Sequence, residues 1–352
     1  KNPWQRKLEQ VHLPNEVFEN LKSSAKKYAS VWHDYFKLMK EVLGLKELHS
    51  YDLSLDWGKN NLEYSIEEAE ELIQNALKPL GPTYQAKLNK VFQNHYIDYC
   101  QYKGKVSGGY SFSTNTQDSR IVLSFKGSYQ DILTIAHEAG HNVHHQFIQE
   151  NNPSWYCDSS TFVAEVASLT NEFLLNHYMA NHVNDQHLRR KSIEHTLKTF
   201  QNNFFGAIME GEMEQEMYEH VEKGNLLTAE YLNKLARNAQ KEYQGLTIQY
   251  DKYSDLMWVT RSHYYMNFYL YSYAVCVSIA AILAQKIIAN ESRILEQYQT
   301  FLSCGSNMYP EEIYQTLGID LKDPNVFENA IQYFQEQLTL YQELEKEGVK
   351  NE

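Results

Sequence analysis

The chain has no closely spaced cysteines. Its four, at 100, 157, 276 and 304, form no CxxC pair, which argues against a disulfide framework or a zinc ribbon and for isolated thiols in a reducing, cytoplasmic setting. Excess basic charge is missing as well: 32 Lys and Arg against 45 Asp and Glu give a net charge of −13, the wrong sign for a nucleic-acid partner. The first residues, KNPWQRKLEQ, lack an apolar core and are not expected to be a signal peptide. The longest apolar run, AVCVSIAAILA at 274–284, is too short to cross a bilayer and reads as a buried core helix, so no membrane partner is expected. Internal repeats, low-complexity tracts and linkers are also lacking. What these absences leave is a water-soluble chain of 352 residues, long enough to bury a core as one large or two smaller domains. It does not begin with Met and is expected to be a fragment of a longer protein or an engineered piece.

Helical periodicity and capping signals dominate what is there. Residues 14–45 read as one long helix, and Ser65 with Glu68 forms a capping box whose helix is closed by Gly81-Pro82. Further helices are expected from about 160, 185, 228, 262, 293 and 325, several of them ended by Gly224, Gly245 and Gly305. Only GGYSFS (108–113) and RIVLSF (120–125), flanking the polar turn TNTQD, look like sheet, and they suggest an antiparallel pair. The expected fold class is mainly α with a small antiparallel sheet that leads into a histidine-rich helix.

That helix is GSYQDILTIAHEAGHNVHHQF, capped by Ser128 and Asp131 and running to about 150. His137 and His141 are i and i+4, about 40° apart around the axis, so two imidazoles can converge on one zinc ion. Glu138 sits beside them, where it can reach a water on that metal. The pattern is HExxH, a metallopeptidase signature, but it fixes only three positions and needs a third ligand. The metzincin solution is excluded, since His144 and Phe147 occupy the places of its Gly and its third His. A glutamate from a following helix is the other solution. Pro153 breaks the first helix, TFVAEVASLTNEFLL starts a second, and a reversal between them can bring Glu165 back beside His137 and His141. Glu172, seven residues on, falls on the same face and is expected to accept a hydrogen bond from a ligand histidine. Two solvated carboxylates on a surface helix would be a poor fit to so small and apolar a stretch. His144 is too far along the axis to share the zinc and is expected beside the ligands or facing substrate, with His145 pointing elsewhere.

With these motifs in place, the chain resembles the oligoendopeptidase F branch of the thimet-oligopeptidase family of zinc peptidases. The likeness runs from about residue 45 to 340. It rests on LHSYDL (48–53), GKVSGGYS (104–111), LTIAHEAGHNVH, FVAEVASLTNE, SHYYMNFYLYSYA (262–274) and MYPEEIYQTLGIDL, in the family's order. The resemblance implies a helical, gluzincin-type, clam-like peptidase that binds one zinc per chain at the base of a deep channel and cleaves short peptides but not folded proteins. It further implies that the whole of 1–352 is catalytic, with a zinc-site core at 104–180 and a helical part at 181–352. The segment HYYMNFYLYSYA carries His263 and tyrosines 264, 265, 269, 271 and 273; a Tyr-rich core helix is the plain reading of it. In the family a His and tyrosines from this segment approach the substrate carbonyl, and the role of stabilising the oxyanion is assigned to His263, Tyr264 and Tyr271, with the other tyrosines packing. RIVLSF stands where related peptidases have a substrate-binding edge strand. A peptide could add to it, with SGGY (107–110) allowing close backbone approach, although a purely structural hairpin is the alternative.

The sequence departs from the family at two places. Members carry a further helical lobe ahead of residue 1, so a separate N-terminal fragment of the same enzyme is an expected partner beside short peptides. Where the family has an Arg-Gln pair before a FAEFE stretch, this chain reads GAIMEGEME (206–214), with Gly206 and Ala207, which touches local packing or substrate contacts but not the zinc. The expected function is that of a zinc-dependent endopeptidase in which Glu138 takes a proton from water and passes it to the leaving amine. A metallocarboxypeptidase of similar shape is the rival enzyme. It would need a cationic group for the substrate's C-terminal carboxylate, which no feature singles out, and products from blocked peptides separate the two. An inactive zinc-bound peptide-binding module is the rival of another class, and the intact HExxH speaks against it.

Overall fold

The computed structural model describes residues 2–58, 63–93, 96–105, 108–114 and 117–351. Fourteen α-helices lie among them. The first seven are α1 (Pro3–Val11), α2 (Asn15–Lys27), α3 (Ala29–Val42), α4 (Ile66–Ala76), α5 (Gly81–Gln93), α6 (Tyr129–Asn151) and α7 (Thr161–His182). The rest are α8 (Gln186–Phe200), α9 (Ala207–Glu222), α10 (Ala229–Gln244), α11 (Leu270–Ile288), α12 (Ile294–Ser303), α13 (Pro310–Gln315) and α14 (Asn325–Asn351). The strands are β1 (Leu48–His49), β2 (Ile97–Asp98), β3 (Tyr110–Thr114), β4 (Gln117–Val122) and β5 (Ile248–Gln249). The protein is mainly α, as its patterning implies.

The chain forms two compact units, neither continuous in sequence. One comprises Lys1–Gly58, Glu194–Ser278 and Leu321–Glu352; the other comprises Lys59–Ile193 and Ile279–Asp320. In the first, α14 packs on α2 and α3. Its core is aromatic: the Trp32 ring stacks on Phe205 at 5.1 Å, and Phe205 meets Phe334 at 5.3 Å. The stretch read as one helix over 14–45 is in fact α2 and α3, because Tyr28 leaves helical geometry at φ −106°, ψ 20°. The apolar stripe of Phe18, Leu21, Ala25, Trp32, Tyr35 and Met39 stays nearly in phase across that break, so periodicity could not reveal it.

The second unit is built on the packing of α6 against α7, with α4, α5, α12 and α13 around them. Ser128 and Asp131 make the capping box of α6, and Ser65 and Glu68 that of α4, as their spacing implies. Gly81 does not close α4, which ends at Ala76; it opens α5 with a φ of 82° after a short 3-10 turn. A helix from about 262 is likewise absent: 3-10 turns span Ser254–Thr260 and Ser262–Tyr265, and regular helix begins only at Leu270. That helix, α11, is 19 residues long, so by length and composition it could cross a bilayer; 72% of its apolar stretch is buried within the protein, the pattern of a core helix.

Three strands form a sheet in the order β2-β4-β3, with β3 and β4 packed on α6. β3 and β4 are antiparallel, with Phe112 opposite Arg120, as the alternating pattern implies. The two-residue β2 had no visible sequence signature, and it pairs parallel to β4 through Ile97 and Ile121. Arg120, Ile121 and Val122 of RIVLSF therefore fall in the central strand, with partners on both sides, and the two edges among the described residues are β2 and β3. Part of the turn TNTQD (115–116) and the first residue of SGGY (Ser107) lie outside the described residues.

Two glycines set the closeness of this packing. A methyl group on Gly140 would stand 2.6 Å from Ser168 Cα and 2.8 Å from the Ala167 carbonyl oxygen, so α7 crosses α6 almost backbone to backbone. A methyl group on Gly109 would stand 2.4 Å from Thr134 Cγ2 and 3.4 Å from Glu138 Cγ, so the strand lies directly on α6 beside the HExxH turn. Gly140→Ala is accordingly expected to push the two helices apart and lower unfolding stability by about 1–3 kcal/mol, the cost of overpacking. Denaturant unfolding measures it, and an unchanged midpoint would show that the crossing has slack.

Candidate active site

Each side chain of the site is placed by the α6–α7 pair. Tyr129 and Tyr84 donate from their hydroxyls to Asn176 and Asn171 at 2.7 and 2.8 Å, and Asn171 in turn donates to the Ala136 carbonyl at 2.9 Å. These buried bonds fix the rotation of α7 about its axis, which a purely apolar interface would leave looser. The face of α7 that meets the HExxH turn is then the one carrying Glu165 and Glu172.

His137 Nε2 and His141 Nε2 lie 3.2 Å apart, and Glu165 Oε2 lies 3.3 Å from the first and 3.4 Å from the second. These three residues are the only cluster among the described residues whose donor atoms all fall within 4.8 Å of one another. Glu172 Oε1 stands 2.5 Å from His137 Nδ1, so the carboxylate accepts the N–H of that nitrogen and turns Nε2 toward the cluster. Ser168 donates to Glu165 Oε2 at 3.0 Å and fixes its rotamer. The three side chains remain 17–25% exposed, open enough for an ion and a substrate to reach them.

The electrostatics ask for positive charge at the centre of this triangle. Burial opposes ionisation of Glu165, but hydrogen bonds to His137 and His141 outweigh it and hold the carboxyl well below the usual carboxylate range. Burial also works against a charged His137, and its bonds to Glu165 and Glu172 overcome that and raise it well above the usual imidazole range. Two imidazole nitrogens and a carboxylate oxygen suit zinc. Ligands held tetrahedrally at about 2.0–2.1 Å are spaced by about 3.3–3.4 Å, which the three observed separations match. The residues present fit the metal.

Glu138, buried at 6% exposure, lies on the side of α6 that meets Gly109, the residue directly before β3. It is thus between the histidine pair and the sheet edge. His144 does not face the open. It is buried against Phe301 of α12, ring centroids 6.3 Å apart, and burial pushes its pKa down to about 3, so it is a neutral core side chain. The spacing along α6 could not foresee that α12 covers this turn. His145 does point elsewhere. Its Nε2 donates to the Thr114 carbonyl and its Nδ1 accepts from Ser113, tying β3 to α6.

His263, Tyr264 and Tyr271 belong to the first unit and are not brought together. The His263 ring meets Tyr269 and Tyr273, at 5.9 and 5.8 Å, and those two meet each other at 5.2 Å. The Tyr264 hydroxyl is near Met213 Sδ, at 4.0 Å. Tyr271 is fully buried among Trp4, Phe18 and Gly211, and its hydroxyl has no hydrogen-bond partner. Tyr269 and Tyr273, read from the sequence as packing, are therefore tyrosines whose rings meet that of His263. Their i, i+4 spacing was the available signal, but it becomes one only once helix begins at Leu270.

The chain as a whole is similar to known proteins. The model of peptidase family M3 matches residues 2–333. Oligopeptidase PepF of Bacillus subtilis is 32% identical over 345 residues, covering 98% of this chain and 52% of that protein. Group B oligopeptidase PepB of Streptococcus agalactiae is 30% identical over 340 residues, covering 97% of this chain and 57% of that one. The crystal structure of oligoendopeptidase-F from Enterococcus faecium superposes with a TM-score of 0.77 at 27% identity, over 99% of this chain and 56% of that chain. A crystal structure from Chlamydophila abortus gives a TM-score of 0.89 at 29% identity, over 98% and 58%. The chain thus spans little more than half the length of the relatives it matches. With the family pattern running through nearly all of its residues, the chain belongs to peptidase family M3.

Proposed function

We propose that this chain carries the zinc-binding catalytic centre of an oligopeptidase that hydrolyses internal bonds of short peptides. The observation that carries the reading is the triangle of His137, His141 and Glu165, whose separations of 3.2, 3.3 and 3.4 Å suit a tetrahedral ion. Those three residues would hold the zinc, and Glu172 would keep His137 in the tautomer that offers Nε2. When bound, zinc supplies Lewis acidity that polarises a carbonyl and makes water acidic enough to attack near neutral pH.

The rest is work for the chain's own side chains. Glu138 takes a proton from the attacking water on a carboxylate oxygen and gives it to the leaving nitrogen as the peptide bond breaks. The open edge of β3 is suited to an extended peptide, which would add as a further strand through main-chain hydrogen bonds. Tyr110 and Phe112, 44% and 51% exposed, offer apolar surface there. The oxyanion role is proposed for His263 and tyrosines of its segment on the strength of the family likeness, and the enclosed hydroxyl of Tyr271 makes it the weakest candidate.

The direct test pairs metal analysis with cleavage of fluorogenic peptides blocked at both ends. About one zinc per chain and cleavage abolished by a chelator and restored by zinc are expected. Cleavage that survives removal of all metal would refute the reading, and cleavage confined to peptides with a free C-terminus would make the enzyme a carboxypeptidase.

A further inference from the structure

The stretch GAIMEGEME plays no part in the metal centre, yet it holds two buried acids. Glu210 and Glu214 are four residues apart on α9, on one face, and 3% and 1% exposed. Glu210 pairs with Arg261. Glu214 Oε1 accepts the backbone N–H of Phe268 at 2.8 Å. The two anchors thus bracket the segment that bears His263 and Tyr264, and Tyr264 rests on Met213 from the same helix.

At the far anchor the backbone is strained. Asn267 and Phe268 have φ of 45° and 58°, two successive residues in a left-handed region that side chains other than glycine rarely occupy. The turn is held from three sides. The Phe268 ring is buried against Trp4 and Tyr218, at 4.6 and 5.0 Å, and the Tyr218 hydroxyl donates to Asn267 Oδ1 at 2.9 Å. Glu214 supplies the third hold. Directly after the turn, Tyr269 and Tyr273 are brought to His263. The remaining oxygens, Oε2 of Glu210 and Oε2 of Glu214, are buried without a hydrogen-bond partner, a cost that packing alone gives no reason to bear. Burial pushes the Glu214 carboxyl up to about 7 despite the Phe268 N–H and Lys7, and an acceptor oxygen for Phe268 remains in either protonation state.

We propose that Glu210 and Glu214 are positioning residues that clamp the His263 segment to α9, with Glu214 holding the left-handed Asn267–Phe268 turn and thereby setting His263 against Tyr269 and Tyr273. The functional consequence rests on the reading that this segment meets the peptide substrate. What matters at Glu214 is then an acceptor oxygen, not a charge.

Hydrogen exchange across 262–269 and steady-state cleavage of a blocked peptide, both on the 352-residue chain, test this. Glu214→Gln keeps the acceptor and is expected to match the parent within about threefold in kcat, with unchanged exchange. Glu214→Leu removes it, and should speed exchange in the segment and lower kcat by about 10²-fold with little change in KM, as misplacement of a group near the reacting bond does. Asn267→Val puts a β-branched residue at an exposed left-handed position and should act like Glu214→Leu, which covers the case in which the leucine variant does not fold. The clamp is overturned if Gln is as damaging as Leu, or if exchange in the segment is unaltered in Asn267→Val and in a folded Glu214→Leu. A parent protein that cleaves no peptide would defeat the peptidase reading separately, since exchange needs no turnover and still decides whether Glu214 holds the turn.

Discussion

Replacing Glu138 with Gln is expected to leave the fold and the zinc content unchanged while peptide cleavage falls by on the order of 10²-fold or more. The substitution is nearly isosteric, so the tight contact at Gly109 and Thr134 is kept, and an amide can still hydrogen-bond where the carboxylate did. It cannot accept a proton. The two other carboxylates of the site are not free to replace it, because Glu165 is committed to His137 and His141 and Glu172 to His137. Metal analysis and kcat on a blocked peptide, measured on one preparation, give both halves of the result. Turnover within a few-fold of the parent would mean that some other group takes the proton, and a parallel loss of zinc would mean that Glu138 helps to hold the site together.

The parts of this site that were legible in the sequence are those that depend on a single helix. His137 and His141 share a face because of helical geometry alone, and the capping box at Ser128 fixes where that helix starts. Glu165 and Glu172 were legible for a different reason: two acids in an otherwise apolar helix demand partners, and the reversal at Pro153 limits which helix provides them. What escaped was set by other elements. His144 became a core residue because α12 covers it, which no spacing within α6 reveals. β4 became a central strand because two residues, Ile97 and Asp98, pair with it from beyond α5. The segment around His263 was misread as helix because SHYYMNFYLYSYA is aromatic enough to suit one. Its left-handed turn is instead held open by Glu214 and Trp4, both remote in sequence. Gly140 was visible inside HEAGH, but its importance comes from the approach of Ser168, a tertiary contact.

The second large effect is expected at Glu165. Glu165→Ala should take the zinc content from about one per chain to near none, whereas Glu172→Ala should weaken binding by about 10–100-fold, as loss of a hydrogen-bond partner to a ligand histidine does. The order follows from what each carboxylate touches. Glu165 Oε2 closes the triangle, 3.3 and 3.4 Å from the two imidazole nitrogens, and it brings the only negative charge in the donor set. Without it, two neutral nitrogens 3.2 Å apart remain to hold a divalent ion that ordinarily takes three protein ligands. Glu172 reaches only the far nitrogen of His137, so its loss frees the ring to rotate and change tautomer but removes no donor. Because Ser168 loses only one of its acceptors and still donates to the Glu165 carbonyl, α7 should stay folded in Glu165→Ala, and its circular dichroism should match the parent. Zinc titration of the stripped proteins gives the two affinities. Equal losses in the two variants would place Glu172 among the ligands, and full retention by Glu165→Ala would remove Glu165 from them.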